Sequence, residues 1–326
     1  LIDYKYLRGL SVIVLPLVIL LLLVTAFQGL DIGESNASRW INIPLINISF
    51  QPSAVASIFL MIYISNYLAK NHEKNLNFTD SFLKLWIPII LVIMLVLPSN
   101  FSTAFMIFSL SLILIFIGRY PIKKILLIIL SMVFLVTSFI YISNKYPEMV
   151  PNRVDTWSNR IENFISPSMD NDSNYQISRA KAAIAAGSLF GVGAGKSSMK
   201  YILPQSTSDF IFSIITEEYG LFTSIVILLL YIVLLFRIVI ISSKSINSFG
   251  QLLSLAVGMP IVFQALINMG VAVQLFPVTG QPLPLISTGG TSIWTTFFAF
   301  GILLSISRNN QSVNTELNLN KFSNEL

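Results

Sequence analysis

Cysteine is absent from the 326 residues, histidine occurs once, at His72, and charged residues make up only 11%. The first two absences exclude disulfides, thiol nucleophiles, Cys/His metal cages and Ser-His-Asp triads. The third speaks against a soluble globular fold, which carries about 25% charged residues. Any catalysis must therefore use carboxylates, hydroxyls, lysines and arginines. What is present is apolar: 54% hydrophobic residues and a mean hydropathy of +0.76.

The charge-free runs locate the membrane. No Asp, Glu, Lys or Arg occurs in 9–30, 40–69, 85–118, 125–144, 219–236 or 245–307. A helix crosses a bilayer in about 20 apolar residues, and backbone inside lipid must satisfy its own hydrogen bonds. The runs are continuous rather than alternating, which favours helices over a barrel. Two of them hold two spans each, broken at Pro98-Ser99-Asn100 and between Phe276 and Leu285. The expectation is an all-α polytopic membrane protein with eight spans near 9–28, 52–69, 83–98, 101–118, 123–142, 211–236, 251–275 and 286–307. Residues 1–308 form one transmembrane domain, 143–210 a long extracytoplasmic loop and 309–326 a polar, disordered cytoplasmic tail.

Placing the residues before the first span in the cytoplasm puts Lys5, Arg8, Lys70, Lys74, Lys84, Arg119, Lys123, Lys124, Arg237, Lys244, Arg308 and Lys321 inside. The short outer loops then hold only Arg39, as the positive-inside rule requires. The +5 net charge reflects this asymmetry, and no basic stripe points to nucleic acid. The first residue is Leu1, close to a span, so the chain reads as a piece of a longer protein.

Chemistry has few places to sit. Of the fifteen carboxylates, only Asp209, Glu217 and Glu218 lie at or within the start of a span. Asp209 follows Ser206, Thr207 and Ser208 and precedes an apolar run, which suits a helix cap. The same placement suits a general base, since desolvation at an apolar boundary raises a carboxylate's basicity. Glu217 and Glu218 suit a polar cavity between helices. The run holding Gly187, Gly191, Gly193, Gly195 and Lys196 resembles a phosphate loop, but Phe190 stands where a Walker A glycine is needed. It reads either as a flexible turn or as a backbone nest that, with Lys196, holds a phosphate. Gln176 to Ala186 reads as a short helix whose Arg179 and Lys181 meet a pyrophosphate or stay solvated. Val154, Trp157, Ile161 and Phe164 form an apolar stripe suited to the membrane surface.

Five motifs occur in order: Arg39-Trp40-Ile41; Gln51-Pro52-Ser53; Ile184 to Gly195; Leu203-Pro204 through Asp209 to Gly220; and Pro277 to Ser292, with Ser287, Gly289 and Gly290. On these residues the chain resembles the SEDS family (shape, elongation, division and sporulation), its division branch more closely than its elongation branch. The resemblance covers nearly everything from about residue 3 to Arg308. It implies a ten-span fold of which this chain holds spans three to ten. Two departures stand out. Ala54 and Ser57 replace the usual Glu and Lys after Gln51-Pro52-Ser53, and Pro98-Ser99-Asn100 replaces an acidic motif.

The resemblance further implies an inverting glycosyltransferase that polymerises lipid II into peptidoglycan on the outer face of the bacterial cytoplasmic membrane, at the division septum. Asp209 takes the catalytic position. Arg39, Trp40, Gln51, Arg179, Lys181, Lys196, Glu218, Ser287, Gly289 and Gly290 are the implied substrate-binding residues. The resemblance fixes no cofactor and no metal site, and a divalent cation, Mg²⁺ or Mn²⁺, is one candidate auxiliary at the pyrophosphate. The expected partners are a class B penicillin-binding protein transpeptidase and other divisome proteins. The rival readings are a lipid II flippase and an elongation-type polymerase.

Overall fold

The computed structural model describes residues 3–28, 30–31, 38–43, 48–71, 78–145, 164 and 172–324. Eight long helices occupy the expected spans. They are α1 (Leu7–Gln28), α2 (Pro52–Lys70), α3 (residues 78–96), α4 (Phe101–Ile117), α5 (Ile122–Lys145), α7 (Ile211–Ser243), α8 (Ser248–Ala272) and α9 (Gly290–Asn324). The short outer helix α6 is Asp172–Gly187. Among the described residues six helices are long and apolar enough to cross a membrane, and α4 is a shorter apolar helix. The protein is thus a helical polytopic membrane protein. The apolar stripe at 154–161 lies outside the described residues.

The structure adds detail around the expected spans. Residues 30–50, to which the sequence reading assigns no element, contain three antiparallel strands: β1 (Leu30–Asp31), β2 (Ser38–Ile43) and β3 (Ile48–Phe50). Ile41 pairs with Phe50, Asn42 with Ser49 and Ile43 with Ile48. β2 alternates only over Ile41-Asn42-Ile43, too short a signal to stand out inside a run dominated by the span signal. The eighth span starts at Gly290 rather than 286, because residues 286–289 are drawn into the preceding loop. The helix is described through Asn324. No Gly or Pro follows Arg308 to stop it, and Asn310 Nδ2 donates to the Ile241 carbonyl at 3.2 Å.

The chain divides into two units. The first comprises 1–120, 232–262 and 290–326. Its α2 is a central helix, with 67% of its apolar window buried against 28% for α1. Leu60, Ile64 and Leu68 of α2, Ile89 and Val92 of α3, and Ile107 and Leu114 of α4 are buried. Several polar groups inside this unit are paired. Ser81 and Tyr120 hydroxyls lie 2.6 Å apart, and Tyr63 Oη donates to the Lys84 carbonyl at 2.5 Å. At the position of the family's charged pair, Ala54 is half-buried and Ser57 buried. Asn100 caps α4 by accepting from the Thr103 N–H at 3.1 Å, so a neutral residue does locally what an acid would.

The second unit comprises 121–231 and 263–289. It holds α5, α6, the first part of α7, the end of α8 and the proline-rich loop at 273–289. Ala180, Leu203, Phe210, Ile214 and Val271 form its core cluster, with Met199, Ile267 and Val278 packed against them. Phe210 of this cluster directly follows Asp209 in the chain.

Candidate active site

The glycine-rich segment of the second unit repairs a broken helix. Gly220 lies inside α7 with φ +82° and ψ 174°, which breaks the helical ladder. A break orphans carbonyls before it and N–H groups after it. Residues 188–193 satisfy both sets. Val192 and Gly193 N–H groups donate to the Glu217 and Glu218 carbonyls at 2.9 and 3.0 Å. Leu221 and Phe222 N–H groups donate to the Ser188 and Leu189 carbonyls at 2.9 and 3.3 Å. Backbone meets backbone here, so side chains have no room. A Cβ on Gly191 would lie 2.2 Å from the Glu218 oxygen, and one on Gly220 would lie 2.3 Å from the Leu189 oxygen. Both residues also need positive φ, which glycine adopts without strain. The N–H groups of Gly191, Val192, Gly193 and Lys196 are all engaged within the protein. The glycine spacing therefore answers to the helix break, and these N–H groups do not form an anion nest. Lys196 itself is exposed.

Glu217 is 1% exposed. Its carboxylate accepts from Ser197 Oγ, from Ser198 N–H at 3.0 Å and from Ser198 Oγ at 2.9 Å. It thus caps the short 3₁₀ turn Met199–Tyr201 from a different helix. The Lys200 N–H completes the turn by donating to Ser197 Oγ at 3.0 Å. The polar cavity expected around Glu217 is in effect this serine pair. Glu218, one residue on, is half-buried and takes part through its carbonyl.

Asp209 sits in a run of turns, one residue short of the first turn of α7. Its Oδ2 lies 3.5 Å from the point a Cβ on Gly280 would occupy, so the carboxylate rests over the backbone of the proline-rich loop. That loop holds the turn firmly. Thr288 donates to the Thr207 carbonyl through both its N–H and its hydroxyl, each at 3.0 Å. Ser287 Oγ donates to the Ser208 carbonyl at 2.6 Å and accepts from the Leu283 N–H at 2.7 Å. Ser287 is 5% exposed with its hydroxyl used in both directions, so it organises the Asp209 turn. Asn268 and Gln264, one turn apart on α8, grip the same region. Asn268 Nδ2 donates to the Asp209 and Gln281 carbonyls, both at 2.7 Å, and Gln264 Nε2 donates to the Pro282 carbonyl at 2.9 Å. Sequence reasoning missed these two residues. The available signal was a pair of amides four apart in an otherwise apolar span, where polar groups are costly.

The remaining site residues fall as follows. Arg179 stacks its guanidinium over Tyr175 at 4.9 Å, and Lys181 Nζ donates to Gln274 Oε1 at 2.6 Å. Both belong to α6 in the second unit. Ser287 and Gly289 end that unit, and Gly290 opens α9 in the first. In the first unit, Arg39 and Trp40 lie on β2, with Trp40 half-buried. Gln51 is the N-cap residue of α2, and its N–H donates to Thr291 Oγ1 at 3.1 Å. The Gln51 motif and the start of α9 are therefore tied together inside that unit. Among the described residues no group of three or more His, Asp or Glu converges as a metal site.

The comparisons with known proteins agree with this architecture. The family model described as cell cycle protein (FtsW, RodA and SpoVE) matches residues 1–312. The chain is 34% identical to a probable peptidoglycan glycosyltransferase FtsW of Enterococcus hirae over 84% of its own length and 68% of the relative's. It is 34% identical to the protein of the same name in Geobacter metallireducens, over 94% of its length and 79% of the relative's. Solved structures share the fold. A chain of a peptidoglycan synthase complex matches with TM-score 0.75 at 22% identity, over 95% of this chain and 84% of that one. The rod shape determining protein RodA of Thermus thermophilus matches with TM-score 0.63 at 22% identity, over 95% and 81%. With its family motifs in order and the fold in place, the chain belongs to the FtsW/RodA/SpoVE family of cell cycle proteins.

Proposed function

We propose that the chain is a peptidoglycan glycosyltransferase that polymerises lipid II during septal cell-wall synthesis. The observation that carries this reading is the Asp209 turn. It is the place where the family's acid falls, and three carbonyls in a row are held there, two by the proline-rich loop and one by Asn268 of α8. An acid that only capped a helix would not need such support. The relatives' printed names supply the reaction class.

In the proposed reaction the 4-hydroxyl of an acceptor GlcNAc attacks the anomeric carbon of the donor MurNAc. A glycosidic C–O bond forms as the bond from that carbon to the undecaprenyl pyrophosphate breaks, with inversion. The hydroxyl proton passes to the Asp209 carboxylate. The departing pyrophosphate gathers negative charge, which cations stabilise. Arg39, Arg179, Lys181 and Lys196 are the candidates, and Lys196 and Lys181 are exposed in the second unit. Among the described residues no three His, Asp or Glu converge, and the reaction is written through the chain's own residues. A class B penicillin-binding protein is the proposed partner, consistent with the likeness to a synthase-complex chain.

The test is Asp209→Asn. Asn caps a helix about as well as Asp, so capping alone predicts little change. Loss of a general base predicts a fall of about 100-fold or more. Polymerisation of fluorescent lipid II by matched amounts of each purified variant decides it. Near-normal activity in Asp209→Asn moves the catalytic assignment elsewhere.

A further inference from the structure

The turn that carries Asp209 has no regular structure of its own to satisfy its carbonyls. Those of Thr207, Ser208 and Asp209 are served by Thr288, Ser287 and Asn268. Asn268 differs from the other two. It is 1% exposed, and its single amide nitrogen donates to two carbonyls from two chain segments, Asp209 and Gln281, at 2.7 Å each. Two carbonyl oxygens converging on one point repel. A group carrying two protons on one atom satisfies both, and Asn is the shortest side chain that offers one.

The other half of the amide shows what this junction costs. Asn268 Oδ1 is buried with no hydrogen-bond partner among the described residues. A buried orphan acceptor is destabilising. If the position served packing alone, an apolar side chain such as Leu, which branches at the same atom, would avoid that cost. The donor pair is therefore what the site uses. Through Gln281 it fixes the loop that carries Gly280, the residue against which Asp209 Oδ2 rests. Through Asp209 it fixes the backbone from which that carboxylate projects.

We propose that Asn268 is a positioning residue, which sets the spacing between the Asp209 backbone and the Gly280-Gln281 wall behind its carboxylate. The inference rests on the reading of Asp209 as general base. A reacting group displaced by about 1 Å loses on the order of 100-fold in rate, so the effect falls on turnover rather than on substrate binding.

The experiment is a four-cornered comparison of the full chain, Asn268→Leu, Asp209→Asn and the double variant. Polymerisation of lipid II is measured at a temperature where each variant is fully folded by thermal unfolding. Asn268→Leu lowers kcat about 10-fold to 100-fold with KM within about threefold. In the Asp209→Asn background it costs nothing further, because the group it positions is gone. If Asp209→Asn is inactive while Asn268→Leu turns over within about threefold of the parent, positioning is overturned and the base survives. If Asn268→Leu lowers activity equally in both backgrounds, its role is general structure and the proposal also fails. If Asp209→Asn is active, both readings fall together. Should Asn268→Leu not fold, Ser287→Ala removes the adjacent link to the Ser208 carbonyl and enters the same comparison with the same expectations.

Discussion

Glu217 offers the sharpest test of how the outer loop is held. Read from sequence, Glu217→Gln is a mild change two turns beyond Asp209. The structure makes it a loss of anchorage. The carboxylate accepts two hydrogen bonds from Ser198, at 3.0 and 2.9 Å, and one from Ser197 Oγ. Hydrogen bonds to a charged group contribute about 1.5–3 kcal/mol each, and a buried donor left unpaired costs about 1–3 kcal/mol. Ser198 is exposed and regains water, whereas Ser197 is 3% exposed and does not. Discounting the Ser198 bonds accordingly, Glu217→Ala destabilises the turn by about 3 kcal/mol and Glu217→Gln, which keeps one acceptor oxygen, by about half that. A difference of 1.4 kcal/mol is tenfold in an equilibrium constant. Amide hydrogen exchange at Ser198 and Lys200 therefore rises about 100-fold in Glu217→Ala and about 10-fold in Glu217→Gln. Amides near the far end of α7, around Ile238, keep their protection. Exchange at Ser198 and Lys200 within about twofold of the parent in Glu217→Ala would refute the anchorage argument.

Further expectations follow from the same geometry. Gly191→Ala and Gly220→Ala place a Cβ within 2.2 and 2.3 Å of backbone oxygens. Each lowers stability by about 3 kcal/mol or more, read as a fall in thermal unfolding temperature. Gly195→Ala meets nothing within 4 Å but keeps a φ of +74°, so it costs only about 1 kcal/mol in the same assay. Asn100→Ala removes the cap on α4 and costs about 1 kcal/mol, while Asn100→Asp is near neutral, again by thermal unfolding. In the topology argued from charge, a cysteine introduced at Ser173 reacts with an impermeant reagent in intact cells, and labelling only after lysis contradicts the orientation.

The membrane helices were legible in the sequence because their signal is local. Each charge-free run of sufficient length has one physical solution in lipid, and every expected span coincides with a helix. The resemblance singled out Asp209 from ordered motifs alone, and its catalytic role is the proposal above. Composition likewise settled which chemistries were closed, since a chain without cysteine and with one histidine has few catalytic groups. Long-range contacts were not legible. Gly191 and Gly220 looked like parts of separate motifs, and only the fold shows that they repair one helix break together. Ser287 was implied as a substrate residue, and only the structure shows that its hydroxyl also clamps the Ser208 carbonyl. Asn268 carried no local signal beyond its polarity in an apolar helix, because its partners lie 59 and 13 residues away in the chain. Hydrogen-bond partners at such separations depend on how helices stack, and tertiary structure alone decides that. Spans follow from the free energy of a segment in lipid, whereas the site follows from which segments meet.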